Sequence, residues 1–204
     1  TNNGYIKRAA NSEFRTQNRG GRGVQGMGIH DQDFVTTLVS CSTHDNLLFF
    51  TNAGKVYKAK GYEVPEYGRT AKGIPVINFL GVNSNERIQT IIALPNESEE
   101  RKYLFFTTKY GVVKRTSVES FKNIRSNGLI AIGLKEDDEL VNVLSTSGDD
   151  VVIIGTHNGY SVTFKEEAVR DMGRTASGVR GIRLRSEDYV IGASVIKEDD
   201  EVLV

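Results

Sequence analysis

An arginine–glycine loop near the start of the chain is the feature with the clearest chemistry. Its seven residues are Gln17, Asn18, Arg19, Gly20, Gly21, Arg22 and Gly23. Arginine guanidinium groups present planar donors that match pairs of phosphate oxygens. The glycines let the backbone approach a surface closely and leave their N–H groups open as further anion donors. The loop therefore predicts a site that binds a phosphate backbone. The alternative is a structural turn whose arginines are merely solvated.

The loop belongs to a unit that is repeated four times. The units open at Gly4, Gly54, Gly111 and Gly159, which are 50, 57 and 48 residues apart. A second glycine follows after 17 or 19 residues, at Gly23, Gly73, Gly128 and Gly178. This period is typical of repeat architectures, in which one unit cannot bury its apolar face without neighbours. We expect a single domain over residues 1–204, with repeats at approximately 1–50, 51–107, 108–155 and 156–204.

Each repeat reads as short strands joined by tight turns. Residues 46–51, a turn that ends at Gly54 and residues 55–58 predict a β-hairpin, with glycine supplying the positive φ of the turn. The next two repeats contain the same pattern, and further strands are predicted in the apolar runs 34–39, 88–94, 140–144 and 189–195. No segment sustains a helical period. About four strands per repeat predict an all-β fold of four propeller-like blades.

Several apolar residues are candidates for the core. One stands ten positions after each opening glycine, at Phe14, Val64, Phe121 and Val169, and we expect these side chains to plug the core. The single cysteine, Cys41, ends an apolar run and is expected to be a small core residue. One cysteine allows no disulfide framework, which indicates a reducing, cytosolic setting.

The ends of the chain carry two further expectations. No signal peptide or stretch of 18 apolar residues is present, so we expect no membrane segment. The apolar run Val202–Val204 resembles the run before the turn at Gly54 and is expected to lead into a further turn. The sequence therefore predicts an incomplete array.

Charge alternates along the chain in phase with the repeats, although 26 basic and 26 acidic residues cancel overall. Residues 1–30 carry +4 and residues 31–50 carry −3, whereas 107–135 carry +5 and 136–150 carry −6. If the units surround an axis, equivalent positions share an edge, and the basic parts form one stripe. Such a stripe predicts binding to a polyanion, and an ordinary solvated face is the alternative.

Residues typical of catalysis or metal binding are not arranged for either task. The three histidines have no ligand spacing, and one cysteine cannot build a thiolate zinc site. Asp31, Asp33 and the run Glu136–Glu139 have no nucleophile placed beside them, so we expect solvated loops there. The pattern Gly21-x-Gly23-x-x-Gly26 matches a dinucleotide fingerprint only formally, because no strand precedes it and no helix follows.

Together these motifs resemble the C-terminal domain of the DNA gyrase A subunit. The likeness rests on the box Gln17–Gly23 behind Gly-Tyr-Ile-Lys-Arg at 4–8, and on Gly-Arg-Thr-Ala at 68–71 and 173–176. The family box reads Gln-Arg-Arg-Gly-Gly-Lys-Gly, so Asn18 loses one charge and Arg22 keeps one. The resemblance covers all four repeats. It implies a β-pinwheel, a propeller variant in which blades exchange strands, and four repeats are incomplete relative to the family's six blades.

The resemblance also implies a function. A basic perimeter would bind, bend and wrap duplex DNA with little sequence preference, in support of ATP-dependent negative supercoiling by DNA gyrase in the bacterial cytoplasm. The residues that match the family's DNA-binding positions are Lys7, Arg8, Gln17, Arg19, Gly20, Gly21, Arg22, Gly23, Lys58, Arg69, Lys72, Lys114, Arg115, Arg125 and Arg174.

The same resemblance places the chemistry outside this chain. The catalytic tyrosine, the magnesium site and the ATPase are expected in the B subunit and in the N-terminal part of the A subunit, its partners in an A2B2 assembly. No catalytic residue and no cofactor is expected here. Two alternatives stay open: a topoisomerase IV-type C-terminal domain that binds DNA but bends it less, and a propeller-type protein-interaction scaffold that uses its acidic edge.

Overall fold

Three β-hairpins form the framework of the computed structural model, which describes residues 1–14, 16–95, 101–197 and 199–201. They pair β2 (Asn46–Thr51) with β3 (Lys55–Lys60), β6 (Tyr103–Thr108) with β7 (Val112–Ser117), and β10 (Val151–Thr156) with β11 (Ser161–Lys165). The glycines that end the three turns have φ of +75°, +78° and +80°, a conformation that costs other residues 1–2 kcal/mol or so. The predicted hairpins are confirmed.

A third strand joins the inner side of each hairpin. β5 (Ile88–Leu94), β9 (Leu140–Thr146) and β13 (Val190–Ile196) pair antiparallel with β2, β6 and β10. Each pairing is interrupted by a bulge near the end of the hairpin's first strand, at Phe50/Thr51, Thr107/Thr108 and Gly155/Thr156. β5 packs against β9 and β9 against β13, so these three strands lie at the centre of the array.

The outermost strand of a blade comes from the following repeat. β8 (Leu129–Ile130) pairs with β3, β12 (Val179–Arg180) pairs with β7, and β4 (Ile74–Pro75) pairs with β1 (Tyr5–Ile6). The sheets therefore run β5-β2-β3-β8, β9-β6-β7-β12 and β13-β10-β11 from the centre outwards. The all-β fold and the exchange of strands between blades are confirmed.

Apolar side chains fill the spaces between neighbouring blades. Successive residues of a strand point to opposite faces of the sheet, so Leu48 and Phe50 enter one core while Leu47 and Phe49 enter another. Phe50 meets Phe106 of the next blade edge to face, with ring centroids 5.7 Å apart. Because both faces are covered, the first hairpin strand is continuously apolar rather than alternating.

The first repeat forms less of a blade than the other three. Residues 34–39, predicted as a strand, are not one. Asn2 N–H donates to Phe34 O at 2.9 Å, but no strand of the described residues pairs with this run. Phe34, Val35 and Leu38 are exposed.

Two residues of this repeat that were predicted to lie in the core are exposed. Cys41 is exposed rather than buried, because the apolar run that it ends, residues 34–39, forms no strand that could bring it into a core. Phe14 is exposed as well, whereas its equivalents Val64, Phe121 and Val169 are buried as predicted. The predicted run Val202–Val204 falls outside the described residues.

Two carboxylates of the acidic turns, Asp33 and Asp138, are buried, which corrects the expectation of solvated loops for these two residues. Asp31, Glu136 and Asp137 are exposed, as expected. Asp138 Oδ1 accepts N–H bonds from Tyr110 at 3.0 Å and from Glu139 at 2.9 Å. Asp33 Oδ1 accepts in the same way from the peptides of Asn3 and Phe34. Asp188 Oδ1 accepts from the peptides of Asn158 and Tyr189. These carboxylates satisfy backbone donors that no strand partner reaches, so they tie the opening turn to the inner strand.

Candidate nucleic-acid interface

The basic loops of later repeats lie against the preceding repeat. The peptide of Gly28 donates to Ala71 O at 3.1 Å, and that of Gly133 donates to Ala176 O at 3.2 Å. A Cβ on Gly28 would stand 2.3 Å from Thr70 O, and one on Gly133 would stand 2.5 Å from Thr175 O. Both Gly-Arg-Thr-Ala loops are therefore held at equivalent places on the outer edge of their neighbours.

Most of the predicted contact residues remain open to solvent. The exposed ones are Gln17, Arg19, Gly20, Gly21, Arg22, Gly23, Lys58, Lys72 and Arg125. Gly20 and Gly23 have φ of +82° and +71°, so the arginine–glycine loop turns twice through a region that favours glycine. Within the described ranges, the guanidinium groups of Arg19, Arg22 and Arg125 form no hydrogen bond or ion pair and are free to bind a ligand.

Lys114 is not at the surface, which corrects its expected place among direct contacts. Its side chain is fully buried, and Nζ donates to Ala131 O at 2.5 Å and to Arg174 O at 2.6 Å. The ammonium also lies 4.9 Å from the centre of the Phe106 ring. An ammonium enclosed in this way cannot reach a phosphate without unfolding the junction.

Arg115 is also committed inside the protein. Nη1 donates to Gly148 O at 3.1 Å and lies 3.9 Å from Glu166 Oε2, while the guanidinium stacks 4.5 Å above the Tyr103 ring. Only 11% of its side chain is exposed. The expected surface role of Arg115 is therefore corrected too.

Arg8, at the equivalent position of the first repeat, is partly committed. Its Nε donates to Val64 O at 3.1 Å, and its Nη1 pairs with Glu66 at 2.6 Å. The structure leaves 28% of the Arg8 side chain exposed. Arg8 therefore stays a weaker candidate contact than Arg19 or Arg22.

The remaining predicted cations link one repeat to the next along the outer edge. Arg69 Nη1 donates to Gln25 O at 2.7 Å, just beyond the arginine–glycine loop. Lys58, Arg125 and Arg174, from three successive repeats, line one open cleft of about 510 Å³. We call the exposed and half-buried cations Arg8, Arg19, Arg22, Lys58, Arg69, Lys72, Arg125 and Arg174 the basic rim. Lys7 is left out of this set, because its Nζ donates to Gly68 O at 2.9 Å and to Arg69 O at 2.5 Å.

Sequence reasoning missed two arginines beside this rim. Arg180 lies in the outermost strand β12, and Arg183 follows it by three residues; both are exposed. Both follow Gly178, the second glycine of their repeat, whereas the predicted contacts lie at or before that glycine. The residues directly after Gly178 form the outer strand β12, and their position next to this glycine is the sequence signal for both arginines.

The environment of Lys114 predicts that the free energy of unfolding of the domain rises with pH. Burial, and then the nearby Arg174 guanidinium, lower the pKa of Lys114 from 10.5 to about 8. Between these values the unfolded chain binds more protons than the folded chain, so the free energy of unfolding rises by up to about 1.4 kcal/mol per pH unit. We expect this rise in urea denaturation between about pH 8 and about pH 9.5. Lys114→Met should lack it, and equal slopes in the two proteins would contradict the assignment.

Neither a metal centre nor a membrane helix is found in the described ranges. No group of three or more His, Cys, Asp or Glu side chains there is arranged to hold a metal ion. The α-helix of this part of the chain, α1 (Val76–Leu80), has five residues, and no helix there has the length and apolar content needed to cross a bilayer.

The strand-exchanging blades and the basic rim define a propeller-type domain, and comparison with known proteins identifies its family. The family model described as "DNA gyrase C-terminal domain, beta-propeller" matches residues 1–42, 45–95, 102–147 and 150–197. The chain therefore belongs to the family of DNA gyrase C-terminal domains. Each later matched segment begins before the first strand of a hairpin rather than at its turn.

Two relatives show how much of a longer protein the chain represents. It is 62% identical to the DNA gyrase A subunit of Streptococcus pyogenes serotype M3 over 177 residues, which is 87% of this chain and 21% of that protein. It is 52% identical to the DNA gyrase A subunit of Staphylococcus epidermidis over 206 positions, which is 100% of this chain and 23% of that protein. The chain thus spans about a fifth of these relatives.

Solved structures share the fold. The C-terminal domain of DNA topoisomerase IV matches with a TM-score of 0.80 and 31% identity, over 97% of this chain and 60% of that one. The DNA gyrase A C-terminal domain matches with a TM-score of 0.76 and 27% identity, over 96% of this chain and 63% of that one.

Proposed function

We propose that this domain binds duplex DNA along its basic rim and bends the DNA around its outer edge. The observation that carries the proposal is the cleft in which Lys58, Arg125 and Arg174 of three successive repeats meet. Phosphates of one duplex repeat at short intervals, so a cation set that continues from blade to blade suits a backbone better than a small ligand. Phosphate contacts position DNA without reading its sequence, so binding should be sequence-tolerant.

This mechanism predicts that the affinity for DNA falls as the salt concentration rises. A protein that neutralises Z phosphates releases counterions and loses affinity with a log–log salt slope of about −0.9Z. Bending 20–30 bp by 40–90° costs on the order of 1–6 kcal/mol, and several blades together must supply that energy. The arginine–glycine loop offers two unpaired guanidinium groups, so we propose that it anchors the path of the DNA.

Replacing both arginines of that loop should weaken DNA binding and wrapping. We expect Arg19→Ala with Arg22→Ala to flatten the log–log salt slope by about 1.8, because each phosphate contact contributes about 0.9. Fluorescence anisotropy of a labelled duplex at several salt concentrations measures this change. Ligation of nicked circular DNA in the presence of the wild-type domain should shift the linking number, and the double variant should reduce that shift.

The matched control removes two cations away from the rim. Arg87 and Lys109 both face Glu139, at 3.0 Å and 3.9 Å, near the opening turns. Arg87→Ala with Lys109→Ala changes net charge equally and should alter the salt slope far less. An identical loss in the two double variants would show that net charge, rather than the rim, governs binding. Failure of the wild-type domain to bind linear duplex at low salt would favour an interaction scaffold instead.

A topoisomerase IV-type role is the second candidate, because that family's C-terminal domain shares the fold with a TM-score of 0.80. Such a domain would bind duplex DNA but bend it less. The ligation experiment separates the two, since binding without a change of linking number favours the topoisomerase IV type. The intact Gly20-Gly21 centre of the loop supports the gyrase type.

We further propose that the domain acts within a DNA gyrase assembly. The relatives that cover this chain are DNA gyrase A subunits, and a wrapping domain supplies a bent segment for strand passage. The catalytic tyrosine, magnesium and ATP sites would then lie in the B subunit and in the rest of the A subunit. In that assembly the domain would work in the bacterial cytoplasm.

A further inference from the structure

Two lysines bond the main chain of the loops that carry rim arginines. Lys7 and Lys114 each stand three residues after an opening glycine. Lys7 Nζ donates to Gly68 O at 2.9 Å and to Arg69 O at 2.5 Å. Lys114 Nζ donates to Gly173 O at 3.3 Å and to Arg174 O at 2.6 Å. Both ammonium groups therefore bond the same Gly-Arg pair, in the loop of the following repeat.

We infer that Lys7 and Lys114 are positioning residues, each of which fixes one rim arginine by bonding that arginine's own main chain. The inference rests on the proposed function, since it concerns how the rim presents guanidinium groups to phosphate. Hydrogen bonds from a charged donor are about twice as strong as neutral ones, and a buried carbonyl without a partner is costly. The lysine thus holds the backbone of the loop and leaves the arginine side chain to make its own contacts, as Arg69 does with Gln25 O at 2.7 Å.

The junction that lacks such a lysine supports this assignment. Tyr57 occupies the equivalent position after Gly54, and its ring lies where a Cβ on Gly128 would meet it at 2.8 Å. The loop that Tyr57 faces reads Arg125-Ser-Asn-Gly128, which is one residue shorter than its counterparts and has no Gly-Arg-Thr-Ala. A lysine is therefore present where a Gly-Arg pair must be held, and an aromatic ring is present where the loop differs.

Trypsin cleavage tests the inference without DNA. Cleavage after Arg69 or Arg174 requires the loop to leave its bonded conformation, so its rate reports local opening. We expect Lys114→Met to raise cleavage after Arg174 by about tenfold, the effect of losing a charged hydrogen bond, and to leave cleavage after Arg69 unchanged. Lys7→Met should show the reverse pattern. Lys7 is only half-buried, so that variant keeps the test available if Lys114→Met does not fold.

Lys58→Met is the matched control. Lys58 is exposed and its Nζ donates to Lys122 O at 2.6 Å rather than to the carbonyls of either Gly-Arg pair. This variant should leave cleavage after Arg69 and Arg174 unchanged. Acceleration at both sites by Lys7→Met or Lys114→Met would indicate general loss of stability and overturn the inference.

Duplex binding by the same variants separates this inference from the proposed function. A positioning lysine acts on DNA only through its arginine, so Lys114→Met should weaken binding and flatten the salt slope by no more than the roughly 0.9 that Arg174→Ala itself removes. In a protein that already carries Arg174→Ala, Lys114→Met should weaken binding no further, and a further loss would overturn the positioning role. If the wild-type domain binds no DNA, the proposed function fails, and the reciprocal cleavage pattern still decides whether the lysines hold their loops.

Discussion

Gly178→Ala should destabilise this domain by about 2–5 kcal/mol, which is the sum of a backbone cost and a packing cost. Gly178 has φ of +96°, and a Cβ there would lie 2.3 Å from Val113 O. Val113 belongs to β7, whose pairing with Val179 attaches the outer strand. The carbonyl is part of the backbone and cannot turn aside, so the substitution must push the exchanged strand off its blade. Thermal or urea denaturation measures the loss.

Gly23→Ala is the matched control. Gly23 is the equivalent glycine of the first repeat and has φ of +71°, but no atom of the described residues lies within 4 Å of the position of its Cβ. Only the backbone cost of about 1–2 kcal/mol then applies. If the two substitutions destabilise the domain equally, the close approach of the blades contributes nothing, and the glycines serve the turn alone.

Glu166→Gln should cost about 3–5 kcal/mol, the range for removing one partner of a buried ion pair. The Glu166 side chain is fully buried at the junction of the last two blades. Its Oε1 accepts from the peptides of Gly148 at 2.7 Å and Asp150 at 3.1 Å. An amide in its place removes the charge that faces Arg115 at 3.9 Å. Depending on how it orients, the amide also sets an NH₂ group against one of these peptide donors or against the Thr146 hydroxyl.

The neighbouring residue supplies the control for this prediction. Glu167 is 63% exposed and lies 3.9 Å from Lys165, and exposed pairs of this kind contribute at most about 1 kcal/mol. Glu167→Gln removes the same charge from the adjacent position and should change the free energy of unfolding by less than about 0.5 kcal/mol. Comparable losses in the two variants, measured by urea denaturation, would show that Glu166 is not the anchor of this junction.

Local features of the fold could be predicted from the sequence. Hairpins depend on apolar runs and on a glycine that permits positive φ, and both are visible within a few residues at Gly54 and Gly111. The strand predicted at 34–39 was wrong because its partner is not a local feature. A strand forms only when another backbone satisfies its donors and acceptors along its length, and no strand of the described residues pairs with residues 34–39.

The candidate site stays a prediction, and its outline comes from charge periodicity and the arginine–glycine loop, which depend only on the order of residues. Long-range contacts then decided which cations reach the surface. Lys7-Arg8 and Lys114-Arg115 are the same pair in the same position after an opening glycine, yet Lys114 is fully buried whereas Lys7 is half-buried.

The sequence by itself determined the repeat, the turns and the family of this protein, because each is written in residue types at fixed spacing. Only the tertiary structure decided which charged side chains are exposed and which are buried. Whether an ammonium is solvated or enclosed depends on which loop of the next repeat covers it, and burial is set by residues about sixty positions away, as for Lys114 and Arg174.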